Sequence, residues 1–184
     1  MTKKVFFFTG KIGGYYALKP FLDKIKKIYS LKIIAADQHN SKLFGNSYKK
    51  LIKDFGSKQI IRINLGQKND SVKSRMLAFS NLIKKFSILV SKEKPDMLIV
   101  YGDRGETLLA SFIGVNYSIP IVHFQGGDLS GNVDEIFRHS ITKLSNFHFS
   151  SNLISKERII SLGESPKNVF NHGDNHLDRM KIVK

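Results

Sequence analysis

Residues 95–106 read Pro-Asp-Met-Leu-Ile-Val-Tyr-Gly-Asp-Arg-Gly-Glu, and this stretch decides the fold. The apolar run Met97–Tyr101 has the length of a strand and shows no helical period. Gly102 ends the run, and the charged residues Asp103, Arg104 and Glu106 follow at once. In an open α/β sheet, ligands bind at the carboxyl ends of the strands. The stretch therefore predicts a buried strand that delivers charged groups to a binding crevice.

A second strand of the same kind follows after one helix length, where residues 119–128 read Ile-Pro-Ile-Val-His-Phe-Gln-Gly-Gly-Asp. His123 lies inside the apolar run, where a histidine is more often a hydrogen-bonded core residue than a ligand. Gly126 and Gly127 indicate special backbone geometry or the close approach of a ligand. The two strand ends point to one crevice.

Strand and helix patterns alternate along the whole chain. The predicted strands are Lys4–Thr9, Leu31–Ala36, Gln59–Leu65, Met97–Tyr101, Pro120–Phe124, Phe147–Ser150 and Val169–Asn171. The predicted helices are Tyr15–Ile28, Ser47–Asp54, Val72–Glu93, 106–116, Asp134–Leu144 and Ser155–Leu162, with a polar loop over Asp37–Gly45. This alternation implies βαβ units with right-handed crossovers. We expect an α/β fold: one three-layer Rossmann-like domain over residues 1–184 with a mostly parallel sheet.

The net charge of +15 raises the question of a nucleic-acid partner. The basic excess lies entirely in residues 1–95, which carry 21 basic and 5 acidic residues. Lysine accounts for 24 of the 30 basic residues, whereas nucleic-acid readers add arginine and clustered aromatics. We therefore predict solvated helix surfaces and no nucleic acid. Attraction of an anionic small molecule or an acidic partner is the weaker alternative.

The composition also bears on redox chemistry, metals and membranes. The chain has no cysteine, which excludes disulfides, thiolate catalysis and cysteine-based metal sites. Its histidines are scattered without metal-ligand spacing, so we expect no metal. No apolar run has the length needed to span a bilayer, and the short apolar run near the start suits a first strand better than a signal peptide. These features predict a cytoplasmic location and no membrane partner.

The loop after the first strand reads Thr9-Gly-Lys-Ile-Gly-Gly14, which is neither a dinucleotide fingerprint nor a P-loop. Glycines before a helix free backbone N–H groups to face an anion. A tight turn without a ligand explains the same residues equally well. The binding candidates here are Gly10 and Lys11.

Residues 134–139 read Asp-Glu-Ile-Phe-Arg-His and open a helix. Arg138 lies one turn from Asp134 and can pair with it or with Glu135, which would make an ordinary ion pair on a helix surface. The functional alternative is that two carboxylates and a cation face the crevice. Similarly, Asp103 and Glu106 could be the cap and first-turn acid of the next helix, an explanation that suits Glu106 better than Asp103.

Taken together, five short strings resemble one family. They are Gly102-Asp-Arg104, Pro120-Ile-Val-His-Phe-Gln-Gly-Gly-Asp128, Asp134-Glu-x-x-Arg-His139, Ile141-Thr-Lys-Leu-Ser145 and Arg158-x-x-x-Leu-Gly-Glu-x-Pro166. Their order and gaps resemble the hydrolysing UDP-N-acetylglucosamine 2-epimerases of sialic-acid and related sugar biosynthesis. Each string alone is weak, whereas the combination is specific.

The resemblance implies one half of a two-domain enzyme of the GT-B kind. Such an enzyme binds a UDP-sugar between two Rossmann-like domains, needs no cofactor and is commonly a homo-oligomer. It eliminates UDP to leave a glycal and then adds water with inversion at C2. This chain matches the N-terminal domain, so we expect it to need a C-terminal half, which a separate chain could supply.

The resemblance also assigns residues. It implies catalytic roles for Asp103 and Asp134, with Glu135 adjacent and Gln125 at a position where the family often has glutamate. It implies substrate binding by Gly10, Lys11, Arg104, His123, Gly126, Gly127, Arg138 and His139. Gln125 cannot transfer a proton as a carboxylate can, and Lys11-Ile12 replaces the family's usual Thr-Arg. These departures keep open a non-catalytic domain that binds a nucleotide-sugar or regulates another protein.

Overall fold

The computed structural model describes residues 2–40 and 47–180, the last two by their backbone alone. The strands are β1 (Lys4–Thr9), β2 (Ser30–Ala35), β3 (Ile60–Arg62), β4 (Met97–Tyr101), β5 (Ile121–Phe124), β6 (Phe147–Ser150) and β7 (Val169–Asn171). The helices are α1 (Ile12–Ile25), α2 (Tyr48–Phe55), α3 (Val72–Glu93), α4 (Gly105–Asn116), α5 (Val133–Leu144), α6 (Leu153–Ser161) and α7 (Asn175–Met180). Short 3-10 turns lie at Asp37–Asn40, Ser57–Gln59 and Pro166–Asn168.

The seven strands form one sheet in the order β3-β2-β1-β4-β5-β6-β7. Every neighbouring pair is parallel, so the expected mostly parallel sheet is wholly parallel over the described strands. Strands β2 and β3 extend the sheet on one side of β1, and strands β4 to β7 extend it on the other side. The strand order therefore reverses between β1 and β4, and open α/β sheets bind ligands at such a reversal.

The core lies on both faces of the sheet, which explains why the strands are continuously apolar. On β1, Phe6 and Phe8 pack with α3 and α4, while Val5 and Phe7 pack with α1 and α2. All four are at most 3% exposed. The predicted three-layer Rossmann-like fold is thus confirmed. Within the described ranges, no helix has the length and apolar character needed to cross a membrane.

The predicted bounds differ from the observed ones in ways that have physical causes. Strand β3 ends at Arg62 rather than at residue 65, because its pairing with β2 ends there. Ile63 and Leu65 are still buried, which is why the apolar pattern extended the predicted strand too far. Helix α1 begins at Ile12 rather than at residue 15, so that Gly13 and Gly14 lie in its first turn. A Cβ on Gly14 would lie 2.9 Å from the Tyr101 ring, so this glycine serves helix–strand packing. The predicted polar loop Asp37–Gly45 begins as a 3-10 turn, and its residues 41–45 lie outside the described residues.

Candidate functional site

A cleft of about 700 Å³ opens at the carboxyl edge of the sheet, beside the reversal of strand order. The loops after β2, β3 and β4 and the first turns of α3, α4 and α5 surround it. Its polar lining includes Asp37, Gln38, Asn40, Asn64, Arg104, Glu106 and Asp134. Its apolar lining includes Leu65, Met76, Phe79, Val133 and Phe137. Two of the predicted site residues, Arg104 and Asp134, therefore share one cleft.

Arg104 joins two carboxylates at this edge, and we call the three residues the 37–104–106 bridge. Its Nε donates to Glu106 Oε1, and its Nη2 donates to Asp37 Oδ2 over 2.9 Å. The Arg104 side chain remains 35% exposed, whereas that of Glu106 is 3% exposed. The bridge therefore shows its cation to the cleft and buries one of its acids.

Glu106 is buried because Gly10 leaves room for it. A Cβ on Gly10 would overlap Glu106 Oε1, so the loop after β1 and the first turn of α4 meet through this glycine. Burial raises the pKa of Glu106 to about 7, although Arg104 acts in the opposite direction. A carboxyl group in this range can hold or release a proton near neutral pH. The sequence placed Glu106 in the charged cluster at the strand end, although a first-turn helix acid suited it well, and it did not indicate Asp37.

Arg138 forms the second ion pair of the site, the 103–138 bridge. Its Nη2 donates to Asp103 Oδ2, and its Nη1 donates over 2.7 Å to the carbonyl oxygen of Asp128. The Arg138 side chain is 8% exposed and that of Asp103 is 28% exposed. Of the two alternatives for Arg138, the ion pair with Asp134 or Glu135 on its own helix surface is not the one observed. Arg138 points into the protein and meets the end of β4.

Glu135 is engaged with the turn before α5. Its Oε2 accepts hydrogen bonds from the backbone N–H groups of Ser130, over 2.7 Å, and Gly131, over 2.8 Å. The Gly131 and Ser130 N–H groups lower the pKa of Glu135, because they favour its charged form. Asp134, next to it, is half-buried and lines the cleft. The two adjacent acids therefore have different surroundings.

His123 is fully buried and supports the end of β4. Its Nε2 lies 2.8 Å from the Gly102 carbonyl oxygen, which can only accept, so Nε2 carries the proton. Burial lowers the pKa of His123 to about 3, which keeps the ring neutral. These contacts are those of a hydrogen-bonded core histidine, and they position the residue before Asp103. Gly126 is needed here, since a Cβ would lie 3.0 Å from His123 Nδ1.

The other predicted residues lie around this centre. Gln125 has a positive φ of 63°, and its backbone N–H donates to Phe149 over 2.8 Å. The Gly127 carbonyl accepts a hydrogen bond from Arg158. Lys11 is exposed at the start of α1. His139 lies apart from the cleft, in a shallow groove on α5 with Ile136 and Lys143.

The placement of the acids and histidines also bears on metal binding. Over residues 2–40 and 47–180, no group of three or more His, Cys, Asp or Glu side chains is placed to hold a metal ion. Asp37, Asp103 and Glu106 pair with arginines, and Glu135 accepts hydrogen bonds from backbone N–H groups.

A parallel Rossmann-like domain with a polar cleft at the reversal of its strand order has the architecture of a ligand-binding α/β domain. The family model described as UDP-N-acetylglucosamine 2-epimerase matches residues 23–184. The chain belongs to this family.

Two curated relatives and one solved structure show which members of the family the chain is similar to. The chain is 39% identical over 93% of its length to the GDP/UDP-N,N'-diacetylbacillosamine 2-epimerase (hydrolyzing) of Campylobacter jejuni, of which it covers 45%. It is 33% identical over its whole length to the UDP-N,N'-diacetylbacillosamine 2-epimerase (hydrolyzing) of Legionella pneumophila, of which it covers 49%. The crystal structure of UDP-GlcNAc 2-epimerase from Neisseria meningitidis bound to UDP-GlcNAc matches all of the chain with a TM-score of 0.77 and 22% identity, over 50% of its own length.

The chain thus spans about half the length of the curated relatives that it matches. It resembles the N-terminal domain of the family. Its fold is equivalent to one half of a GT-B-like two-domain enzyme.

Proposed function

We propose that this chain provides the N-terminal half of a hydrolysing 2-epimerase that acts on a UDP-linked amino sugar. A C-terminal half, on the same polypeptide or on a separate chain, completes the cleft and binds much of the nucleotide. The observation that carries the proposal is the acid-lined cleft at the strand reversal, within the segment that the family model matches. A role in sialic-acid-like biosynthesis, a cytoplasmic location and a homo-oligomeric state remain predictions of the resemblance.

The reaction divides into an elimination and an addition. Elimination breaks the C2–H and C1–O bonds, so that UDP leaves and a C1–C2 double bond forms. Addition of water then places a hydroxyl on C1 and a proton on the opposite face of C2. The chemistry needs one group to take the C2 proton and another to return a proton from the other face. Two carboxyl groups on different elements suit it.

We assign these two roles to Asp103 and Asp134. Asp103 is held by the buried Arg138 and stays partly exposed. Asp134 lines the cleft at the start of α5. Gln125 can donate or accept hydrogen bonds but cannot exchange a proton, so it would orient the sugar. Glu135 remains a sequence prediction, and its carboxylate already binds the turn at residues 130–131.

The names of the two curated relatives suggest the substrate. Both are described as acting on N,N'-diacetylbacillosamine linked to a nucleotide, a sugar that carries two N-acetyl groups. We propose UDP-N,N'-diacetylbacillosamine as the first substrate to test and UDP-N-acetylglucosamine as the second.

The decisive experiment measures UDP release from both sugar nucleotides, by the chain alone and by the chain mixed with or fused to a C-terminal half. We expect turnover only when both halves are present. Asp134→Asn should abolish that turnover, while Asp23→Asn, in a surface ion pair on α1, should leave it unchanged. Binding without turnover would instead favour the non-catalytic domain, an alternative that Gln125 and Ile12 support.

A further inference from the structure

The cleft has two chemically different walls. One is polar and carries the 37–104–106 bridge. The other is apolar and is built by Phe79 of α3 and Phe137 of α5, with Met76 and Val133 at its edge. We call these four residues the aromatic wall. Met76 is 50% exposed and Val133 is 55% exposed, so the wall presents uncovered apolar surface in a cleft whose other lining residues, apart from Leu65, are mostly polar.

Gly105 brings the aromatic wall next to the charged residues. A Cβ on Gly105 would lie 2.6 Å from Phe79 Cζ and 3.5 Å from Phe137 Cε2, so the edges of both rings meet the first residue of α4. Gly105 directly follows Asp103 and Arg104 in the chain. Val133 and Phe137 likewise flank Asp134 on α5. A ligand that reaches Asp134 in this cleft therefore also reaches the rings.

The hydroxyl groups of a sugar would be left without hydrogen-bond partners against this wall, and burying polar groups in that way is unfavourable. A methyl group, in contrast, is favoured there by removal from water. An N-acetyl group combines the two requirements, because its methyl is apolar while its amide donates and accepts hydrogen bonds. Asn64 and Arg104, which line the same cleft, offer N–H groups to the carbonyl of such an amide. The Asn40 amide is already engaged with Ala35, Ile63 and Arg62.

We propose that the aromatic wall is a subsite for the methyl of an N-acetyl group on the substrate sugar. This inference rests on the proposed function, since it places a sugar in this cleft. It adds a specificity-determining role for Phe79 and Phe137 in selecting acetylated amino sugars over sugars that lack the methyl.

The first test compares the affinity of the two-half protein for UDP-N-acetylglucosamine and for its N-formyl analogue, which lacks only the methyl. We expect the acetylated ligand to bind about tenfold more tightly, as one methyl in an apolar pocket typically gives. Phe79→Ala and Phe137→Ala should each remove most of that preference. Phe112→Ala, at a 51% exposed position on α4 outside the cleft lining, is the matched control and should keep it. A preference that survives both wall substitutions would overturn the inference.

A second measurement needs no substitution and so avoids any effect on folding. Nuclear Overhauser contacts between phenylalanine ring protons and the N-acetyl methyl of the bound ligand should be strong, and they should vanish when the phenylalanines are ring-deuterated. Contacts from the methyl to other residue types alone would contradict the subsite. If neither sugar nucleotide binds or turns over, the proposed function fails and takes the inference with it. If both bind while the methyl lies away from the rings, only the inference fails.

Discussion

The two bridges beside Gly102 use the same chemical groups in opposite ways. In the 37–104–106 bridge the Glu106 side chain is only 3% exposed, whereas the Arg104 side chain is 35% exposed. In the 103–138 bridge the Arg138 side chain is only 8% exposed, whereas the Asp103 side chain is 28% exposed. The first bridge therefore offers a cation to a ligand, and the second offers a carboxylate.

The difference shows that the partner left in water decides what an ion pair can do. A carboxylate that is paired yet accessible remains open to a substrate, which is the role that we propose for Asp103. A carboxyl that is enclosed has a raised pKa and responds to pH, as Glu106 does. Four substitutions test this contrast, from the largest expected effect to the smallest.

Asp103→Asn removes the accessible carboxylate and keeps the shape of the side chain. We expect the rate of UDP release by the two-half enzyme to fall by about 1000-fold, within the usual range for losing an acid or base. Initial rates at saturating substrate measure the effect, with Asp23→Asn as the control. A variant that keeps more than about a tenth of the wild-type rate would remove Asp103 from the chemistry.

Gly10→Ala tests the packing that encloses Glu106. The added Cβ would overlap Glu106 Oε1, so either the loop or the carboxyl must move. We expect the free energy of unfolding, measured with urea, to fall by about 1–3 kcal/mol. Gly13→Ala is the matched control: its Cβ would meet only the Lys11 side chain at 3.9 Å, and alanine favours helix. Equal losses in the free energy of unfolding for the two variants would show that the overlap with Glu106 is not the cause of the destabilisation.

Glu106→Gln tests the raised pKa. The folded protein holds the Glu106 proton up to about pH 7, whereas the unfolded chain releases it near pH 4.5. Folding therefore favours the protonated form, and the stabilisation is complete below pH 4.5 and is lost as pH rises toward 7. The wild-type free energy of unfolding should fall over this window by about 2 kcal/mol relative to Glu106→Gln. Parallel pH profiles for the two proteins would contradict the burial argument.

Arg104→Met removes the exposed cation while keeping an unbranched apolar stem. Because Arg104 faces the cleft, we expect mainly weaker substrate binding, with KM raised by about tenfold, as the loss of one charge-assisted contact would give. The turnover number should change less. A fall in kcat with an unchanged KM would mean that Arg104 acts in the chemical step, and the contrast between the bridges would then be wrong.

The sequence predicted the fold well, because burial on both faces leaves an unambiguous pattern. The apolar run 97–101, closed by Gly102, gave β4 its observed bounds. Helix α3 was likewise predicted to the residue from its apolar period. The prediction was less good at β3, where Ile63 and Leu65 are buried beyond Arg62, the last residue paired with β2. An apolar residue in the sequence indicates a buried side chain. It does not show whether the backbone pairs with a neighbouring strand.

The site was less predictable, because its contacts join distant parts of the chain. Arg138 had acidic neighbours on its own helix, yet it binds Asp103. Glu106 suited the first turn of a helix, and only Gly10 on another loop explains its burial. An arginine two residues before an acid at a strand end, as in Arg104 and Glu106, was the one local signal available.

The reversal of strand order also has a consequence for how the molecule folds. The Arg104–Asp37 contact joins residues 67 positions apart, and the Arg138–Asp103 contact joins residues 35 positions apart. The first cannot form before β4 has taken its place beside β1, after a long chain segment has closed, and the second needs α5 to dock at the end of β4. Such distant pairings are slow steps in folding. Recovery of ligand binding should therefore follow recovery of helical signal in refolding, so that the cleft reports when β4 has docked.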